Sequence, residues 1–250
     1  MTRAEASGDE LEVGDAWGTA LLDHLGGREV PTPELEVEGA GVVPAMHPEW
    51  FFRTFDQWDW WDRELLQAVD TGPVLDLGAG AGRAALFLQE RGLEVTALDT
   101  SLGAVEVCRL RGVRDARLGD LNDPPTDRRW AAVLLMCGNL GLGGSWDGCR
   151  RLLSRLAAVT APDAILVGDS VEPRGPAEIR LRIRYRGVAT PWWRQYNIAT
   201  HEVEPVVDGT GWRIERHLVD GDDHAVLLKR SSGSETSRTR SPSARRPTTA

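Results

Sequence analysis

Between residues 72 and 171, short apolar runs alternate with longer stretches in which apolar residues recur at helical spacing. The apolar runs predict strands at Val74–Leu77, Glu94–Leu98, Ala116–Leu118, Trp130–Met136 and Ala164–Asp169. The intervening stretches predict helices at Gly82–Arg91, Leu102–Arg111 and Trp146–Val159. Strands and helices in this alternation predict a doubly wound α/β fold with a mostly parallel sheet.

The pattern is different on the N-terminal side of this region. Residues 1–15 are polar, and we expect them to be mobile. Apolar spacing predicts a helix at Asp15–Leu25, and the aromatic-rich segment His47–Val69 predicts one or two more. The Pro-, Gly- and Glu-rich segment Glu29–Pro44 predicts an irregular linker. We interpret residues 1–70 as an N-terminal helical cap or lid region.

Beyond Pro176 the period of the pattern falls to two. Apolar residues alternate with arginines from Ile179 to Arg186, which predicts a strand with one basic face. Trp192–Ala199 is a candidate partner for that strand, and Thr200–Val207 suits a helix.

The chain then predicts a closing hairpin. Its strands are Trp212–Val219 and Ala225–Leu228, joined by the turn sequence Asp-Gly-Asp-Asp. We expect this hairpin to complete a domain of residues 71–230. Residues 231–250 form a low-complexity segment without core residues, which predicts a disordered tail.

Composition and charge restrict the function classes. The chain has 250 residues, 41% of them hydrophobic, and a net charge of −9. It lacks the basic footprint that nucleic acids require, so we expect no nucleic-acid partner. It also has no apolar run of the ~18–20 residues that span a bilayer, and its acidic N-terminus predicts no signal peptide. We expect a cytoplasmic monomer or homodimer without a membrane partner, and its three cysteines have no metal-ligand spacing.

The segment Val74–Gly82, VLDLGAGAG, carries the clearest chemical signal. Gly78, Gly80 and Gly82 directly follow a predicted strand and open a predicted helix, where glycine lets the backbone turn tightly beside a ligand. The free N–H groups of the helix start favour a carboxylate or a pyrophosphate. The segment therefore predicts a site for an adenosine-type cofactor.

Carboxylates follow the next two strands as well. Asp99 ends the second strand, where it can accept hydrogen bonds from ribose hydroxyls, and Asp120 follows the third strand, where it can accept the adenine amino group. Each has a local alternative, because Asp99 can simply cap a helix beside Ser101 and Asp120 can be an ordinary loop residue.

These motifs resemble those of the class I S-adenosylmethionine-dependent methyltransferases, over roughly residues 73–171. VLDLGAGAG resembles their first motif, LDTS at Leu98–Ser101 their ribose-binding acid, and GDL at Gly119–Leu121 their adenine-binding acid. MCGNLGL at Met136–Leu142 resembles the segment that touches cofactor and substrate. The resemblance implies a seven-stranded sheet with an antiparallel last strand, S-adenosyl-L-methionine as cofactor, and methyl transfer to a small-molecule acceptor. The implied cofactor-binding residues are Asp76, Gly78, Ala79, Gly80, Gly82, Asp99, Thr100, Ser101, Asp120, Leu121, Cys137 and Gly138.

Candidates for the acceptor side are weaker. Asn139 is placed to orient an acceptor amine or hydroxyl, and His47 is a candidate base, although each has a structural alternative as a turn residue or a helix cap. His201 and Asp169 are further candidate bases, and the Arg180–Arg186 face is a candidate site for an acidic substrate. The candidate substrate-binding residues, which can equally be core residues, are Trp58, Trp61, Trp192, Trp193 and Tyr196.

Two other functions remain open at this point. A nicotinamide-dependent oxidoreductase also has a glycine-rich turn, with the pattern GxGxxG or GxGxxA. If this pattern starts at Gly78, its last glycine falls on Arg83, which does not match. If it starts at Gly80, its last position falls on Ala85, which is permitted. Asp76 beside the glycines suits an ammonium better than a diphosphate. The third possibility is a cofactor-binding module that has lost catalysis.

Overall fold

The computed structural model describes residues 11–231. The predicted mobile segment therefore lies outside the described residues up to position 10, and the predicted disordered tail lies outside them from position 232 onward. Within residues 11–231, no helix is long and apolar enough to cross a membrane.

The secondary structure of the described chain comprises strands, α-helices and short 3-10 helices. The strands are β1 Glu12–Val13, β2 Glu34–Val37, β3 Gly41–Pro44, β4 Val74–Leu77, β5 Val95–Asp99, β6 Asp115–Leu118, β7 Trp130–Leu135, β8 Thr160–Val171, β9 Glu178–Tyr185, β10 Val188–Ala189, β11 Trp193–Tyr196, β12 Trp212–Asp220 and β13 Asp223–Arg230. The α-helices are α1 Ala16–Leu25, α2 Trp60–Gln67, α3 Arg83–Glu90, α4 Leu102–Arg111, α5 Trp146–Val159 and α6 Val203–Val207. The 3-10 helices are Pro48–Phe52, Phe55–Gln57, Asn139–Gly141 and Thr200–Glu202.

The main sheet has seven strands in the order β12-β13-β8-β7-β4-β5-β6. Strands β4 to β8 pair in parallel, whereas β13 pairs antiparallel with both β8 and β12. This arrangement confirms the predicted fold, including the C-terminal hairpin. The carboxyl ends of β4, β5 and β6 meet at one edge, which is where open α/β sheets bind ligands.

Both faces of the main sheet are buried. Leu75 and Trp130 lie in the core on one face, and Val74 and Leu134 lie in the core on the other. Parallel strands covered on both faces read as continuous apolar runs, which is why β4 and β7 were predictable from sequence.

A second sheet was not predicted. Its strands follow the order β1-β10-β9-β2-β3, and β11 also pairs with β9. The predicted β9 and its pairing with β11 are confirmed. The prediction of an irregular linker at Glu29–Pro44 is wrong, because β2 and β3 form a hairpin there and β2 continues onto β9. The hydrogen bonds of the second sheet join residues 12–44 to residues 178–189. The predicted division of the chain into domains stays a prediction.

Helix α1 connects the two sheets. This helix was predicted at Asp15–Leu25, and in the structure Asp15 caps its first residue, Ala16. One side of α1 packs on α4, where Gly18 and Gly103 approach so closely that a Cβ on Gly103 would lie 2.7 Å from the Cα of Gly18. Its other side packs on Tyr185 of β9. The predicted aromatic helices begin after α1, as two 3-10 turns followed by α2.

Candidate active site

The glycine-rich turn lies between β4 and α3. Gly78, Gly80 and Gly82 have φ angles of +71°, +56° and +75°, a left-handed conformation that favours glycine. Asn139 fills the space beside Gly78, since a Cβ there would lie 2.4 Å from the Asn139 Nδ2. That amide nitrogen donates hydrogen bonds to the carbonyl oxygens of Leu77 at 2.9 Å and Gly78 at 3.2 Å. The turn is therefore clipped to the segment that follows β7.

Asp99 ends β5 beside this turn. Its Oδ2 accepts a hydrogen bond from the Gly80 N–H at 2.8 Å, and its Oδ1 accepts one from the Ser101 N–H at 2.9 Å. A carboxylate has about four acceptor sites, so these two bonds leave capacity for a ligand hydroxyl. Burial raises the pKa of Asp99, and the nearby Asp15 carboxylate raises it further. Ser101 caps α4 through the Ala104 N–H.

Asp120 follows β6 and is exposed. Its Oδ1 accepts hydrogen bonds from the backbone N–H and the side-chain amide of Asn122. These contacts are those of an ordinary loop residue, which was the alternative left open by the sequence. Leu121 packs against the core beside it. The adenine-binding role of this pair stays a prediction.

Asp76 is almost fully buried in β4, with 2% of its surface exposed. Its Oδ2 has no hydrogen-bond partner within the described chain. Burial, together with repulsion from Asp99, raises the pKa of Asp76 to about 7. An unpaired buried carboxylate oxygen is costly, which indicates that a bound group normally satisfies it.

Arg83 opens α3 directly after the turn and is also buried. Its Nη2 donates to Asp62 Oδ2 at 2.7 Å and lies 3.5 Å from the Cys137 sulfur. Its guanidinium carbon lies 3.7 Å from the ring centre of Trp50 and 4.7 Å from that of Trp58. The sequence did not single out Arg83 or Asp62, because an arginine at a helix start is usually solvated.

The segment after β7 is held by β8 and β11. The Gly138 N–H donates to Asp169 Oδ2 at 2.8 Å, and the Gly138 carbonyl accepts from Gln195 Nε2 at 2.7 Å. Cys137 has a φ of +64°, a left-handed conformation uncommon for residues with a Cβ. Burial raises the pKa of Asp169 to about 7, and its Oδ1 has no hydrogen-bond partner among the described residues.

The two predicted catalytic residues have defined partners. The amide nitrogen of Asn139 donates its hydrogen bonds to the glycine turn and so positions that turn. That the side-chain oxygen of Asn139 contacts a methyl acceptor stays a prediction. The base role of His47 is not supported, because Nδ1 caps the Pro48–Phe52 helix through the Glu49 N–H and Nε2 contacts the Val30 carbonyl. His201 is exposed on a 3-10 helix.

The predicted substrate-binding aromatics do not form one group. Trp58 is buried and contacts Arg83, and Trp61 packs against the core beside it. Tyr196 is buried on β11, where its hydroxyl donates to Glu202. Trp192 lies over the guanidinium groups of Arg180 and Arg182, and Trp193 is half-buried on β11.

Phe51, which the sequence did not single out from its aromatic neighbours, is closer to the turn. Its ring carbon lies 3.6 Å from the position that a Cβ on Gly80 would take. The ring also packs edge-on against Trp17 and Trp50. The aromatic segment therefore reaches the glycine turn through Phe51.

The basic face of β9 is neutralised. Arg180 pairs with Glu38, Arg182 with Glu36 at 2.6 Å, and Arg184 with Glu34 at 3.6 Å. The register of β2 against β9 places these opposite charges side by side. The hypothesis of a free arginine row that binds an acidic substrate is therefore wrong for this structure.

Comparison with known proteins accounts for this arrangement. A family model described as "Methyltransferase domain" matches residues 74–163. A solved S-adenosylmethionine-dependent methyltransferase from Bacteroides fragilis, in complex with S-adenosyl-L-homocysteine, is 26% identical with a TM-score of 0.76, over 87% of this chain and 95% of that chain. Over these residues the chain is similar to the class I S-adenosylmethionine-dependent methyltransferases.

Other solved methyltransferases share the fold with lower identity. CcbJ from Streptomyces caelestis is 14% identical with a TM-score of 0.55, over 71% of the chain described here and 94% of CcbJ. CalS10 from Micromonospora echinaspora, an amino pentose methyltransferase with S-adenosylmethionine bound, is 14% identical with a TM-score of 0.54 and the same coverage. No curated protein matches the sequence significantly.

Proposed function

We propose that this methyltransferase binds S-adenosyl-L-methionine at the carboxyl edge of β4, β5 and β6 and transfers its methyl group to a small-molecule acceptor by in-line displacement. The observation that supports this most strongly is that three neighbouring parallel strands each carry a carboxylate in or after the strand: Asp76 within β4, Asp99 at the end of β5 and Asp120 after β6. The similarity to a methyltransferase solved in complex with S-adenosyl-L-homocysteine supports the same cofactor.

The residues present fit this cofactor. The buried Asp76 oxygen lacks a partner, as expected if an ammonium group supplies one. Asp99 retains acceptor capacity for ribose hydroxyls. A diphosphate would instead bring negative charge close to both carboxylates, which disfavours a nicotinamide dinucleotide.

When bound, the cofactor supplies a methyl group on a sulfonium, which is an excellent leaving group. The chain then needs mainly to position the reactants, and positioning can lower such a barrier by about 7–11 kcal/mol. Asn139 contributes by fixing the glycine turn against the segment after β7. Phe51 and Trp50 contribute by shielding the turn from water, because their rings lie beside Gly80 and over Arg83.

The acceptor side lies toward β11 in this proposal. Gln195 ties β11 to Gly138, so the second sheet borders the segment that follows β7. Trp61, Trp192 and Trp193 remain candidate contacts for a small acceptor. Solved structures that share the fold include an amino pentose methyltransferase and a glycopeptide N-methyltransferase, and acceptors of these kinds are suitable first substrates for an assay.

Isothermal titration with S-adenosylmethionine, S-adenosylhomocysteine and NADH tests the cofactor. We expect binding of the two methionine-derived ligands and none of NADH, and the reverse result would favour an oxidoreductase. Transfer of a labelled methyl group to candidate acceptors tests catalysis. Binding without transfer to any acceptor of a broad panel would favour a cofactor-binding module that has lost catalysis.

A further inference from the structure

The backbone of Gly138, in the segment after β7, is held from both sides by side chains of other strands. Its N–H donates to Asp169 Oδ2 at 2.8 Å, and its carbonyl oxygen accepts from Gln195 Nε2 at 2.7 Å. Asp169 belongs to β8 of the main sheet, whereas Gln195 belongs to β11 of the second sheet. The segment after β7 is therefore clamped between the two sheets.

The clamped segment contains a bend that is unfavourable in isolation. Cys137 has a φ of +64°, and residues with a Cβ rarely adopt this left-handed conformation. Such a conformation persists where the surrounding contacts over-determine it. The two hydrogen bonds to the next residue, Gly138, supply contacts of this kind.

Gln195 fits against this segment because two glycines leave room for its side chain. A Cβ on Gly141 would lie 2.8 Å from Gln195 Nε2 and 2.2 Å from the carbonyl oxygen of Tyr196. A Cβ on Gly138 would lie 3.4 Å from the same nitrogen. A carbonyl oxygen only accepts hydrogen bonds, so the Gln195 atom that faces Gly138 is the amide nitrogen.

The bend brings Asn139 to the glycine turn. Asn139 directly follows Gly138, and its Nδ2 donates to the carbonyl oxygens of Leu77 at 2.9 Å and Gly78 at 3.2 Å. This nitrogen lies 2.4 Å from the position that a Cβ on Gly78 would take. A series of direct contacts thus runs from β11, through Gly138 and Asn139, to the turn between β4 and α3.

We propose that Gln195 is a positioning residue that couples the second sheet to the glycine turn. Its hydrogen bond to the Gly138 carbonyl keeps the bend at Cys137 in place, and the bend keeps Asn139 on the turn. Because β11 pairs with β9, the second sheet acts through this side chain on the side of the site that holds the cofactor. The effect on affinity rests on the proposed cofactor, whereas the coupling between Gln195 and the turn does not.

Hydrogen–deuterium exchange of the ligand-free protein tests the coupling without reference to any ligand. The amides of Gly78, Gly80 and Gly82 are hydrogen-bonded, so their exchange reports opening of the turn. Gln195→Met removes the donor and keeps a side chain of similar size. We expect exchange at residues 78–82 to become about 10-fold faster, as for one lost hydrogen bond, while β7 and β8 keep their wild-type rates. Wild-type exchange at the turn, or equally faster exchange throughout the protein, would overturn the inference.

Isothermal titration with S-adenosylhomocysteine tests whether Gln195 acts through Asn139. We expect Gln195→Met to weaken binding about 10-fold and Asn139→Ala to weaken it at least as much. Addition of Gln195→Met to Asn139→Ala should then weaken binding by no more than about a further twofold, because the contact through which Gln195 acts is already absent. Additive losses would overturn the inference. If the wild-type protein does not bind this ligand, the proposed cofactor is wrong, and the exchange experiment decides the coupling by itself.

Arg194→Met is the matched control. Arg194 precedes Gln195 on β11, and its exposed side chain donates to Glu178 at 2.8 Å. Both variants therefore remove one side-chain hydrogen bond from the same strand. Exchange at the turn and affinity for S-adenosylhomocysteine should stay within about twofold of the wild type in Arg194→Met. Equal effects of the two substitutions would mean a general loosening of β11 and would contradict the proposal.

Gln195→Glu separates the hydrogen bond from the packing of the side chain. The introduced carboxylate has the same shape, but it offers only acceptors to the Gly138 carbonyl and adds a negative charge near Asp169. At a pH of about 8, well above the ordinary pKa of glutamate, affinity for S-adenosylhomocysteine should fall at least as far as in Gln195→Met. Toward a pH of about 5, the carboxyl takes up a proton that it donates to the carbonyl, so affinity relative to the wild type should recover. Wild-type affinity of this variant at a pH of about 8 would show that packing alone suffices and would overturn the inference.

Discussion

The two sheets pair their charged side chains to different extents. At the carboxyl edge of the main sheet, Asp76, Asp169 and Arg83 are buried and each retains an atom without a partner among the described residues. In the second sheet, three arginines of β9 face three glutamates of the β2–β3 hairpin. The first region keeps three such atoms near the glycine turn, whereas in the second region the charges pair across the hairpin and one described atom, Arg184 Nε, lacks a hydrogen bond. Clustered charge alone therefore does not mark a binding site, and several unpaired buried atoms together are the more specific signal.

The largest expected effect concerns the pH dependence of stability at the main-sheet edge. Asp169 has a pKa of about 7 in the folded protein, against about 3.9 in an unfolded chain. The native state therefore binds more protons between these values, and the free energy of unfolding falls as pH rises from about 4 to about 7. At about 1.4 kcal/mol per pKa unit, this carboxyl contributes a fall of up to about 4 kcal/mol.

Urea unfolding of the ligand-free wild type and Asp169→Asn at several pH values measures this contribution. The variant should become more stable relative to the wild type as pH rises to about 7, with no further gain above it. Asp147→Asn, an exposed substitution on α5, serves as control. If the stability difference between wild type and Asp169→Asn did not depend on pH, the Asp169 carboxyl would not titrate differently in the folded and unfolded states. That result would weaken the contrast between the sheets.

The next effect concerns ligand affinity at the same edge. Asp99→Ala should weaken S-adenosylhomocysteine about 100-fold, because the substitution removes the acceptor for the ribose hydroxyls and the anchor of the Gly80 N–H. Isothermal titration measures the loss, and a melting curve checks that the variant folds. Asp147→Ala should leave affinity unchanged. Unaltered binding by a folded Asp99→Ala protein would make this carboxylate a structural cap only.

The smallest effect is expected in the second sheet. The double variant Glu36→Gln/Arg182→Met removes a partly exposed ion pair, which should cost less than about 1 kcal/mol in urea unfolding. Affinity for S-adenosylhomocysteine and the rate of methyl transfer should stay within about twofold of the wild type. A large loss of transfer at unchanged cofactor affinity would reinstate the arginine row as an acceptor site and break the comparison.

The sequence predicted the main sheet because its signals are local. The strand β4, its glycines and the Ser101 cap each lie within a few consecutive residues. The second sheet was missed because its partners are distant: Arg182 and Glu36 are separated by 146 positions. The alternation of polar and apolar residues in β2 lasts only four residues and lies between prolines and glycines that indicated a linker. The buried ion pair of Arg83 was missed for the same reason, since its partner Asp62 lies on another helix, 21 positions away.

The shared cap at Asp15 has a mechanical consequence. This one carboxylate accepts hydrogen bonds from the Gly18 N–H of α1, from the Gly103 N–H of α4 and from the Ser101 hydroxyl, two residues after Asp99. The first turns of the two helices are thus hydrogen-bonded to one side chain, close to Asp99. Because these contacts tie α1 to α4 and to the end of β5, we expect any segment that opens independently to have its hinge after Leu25.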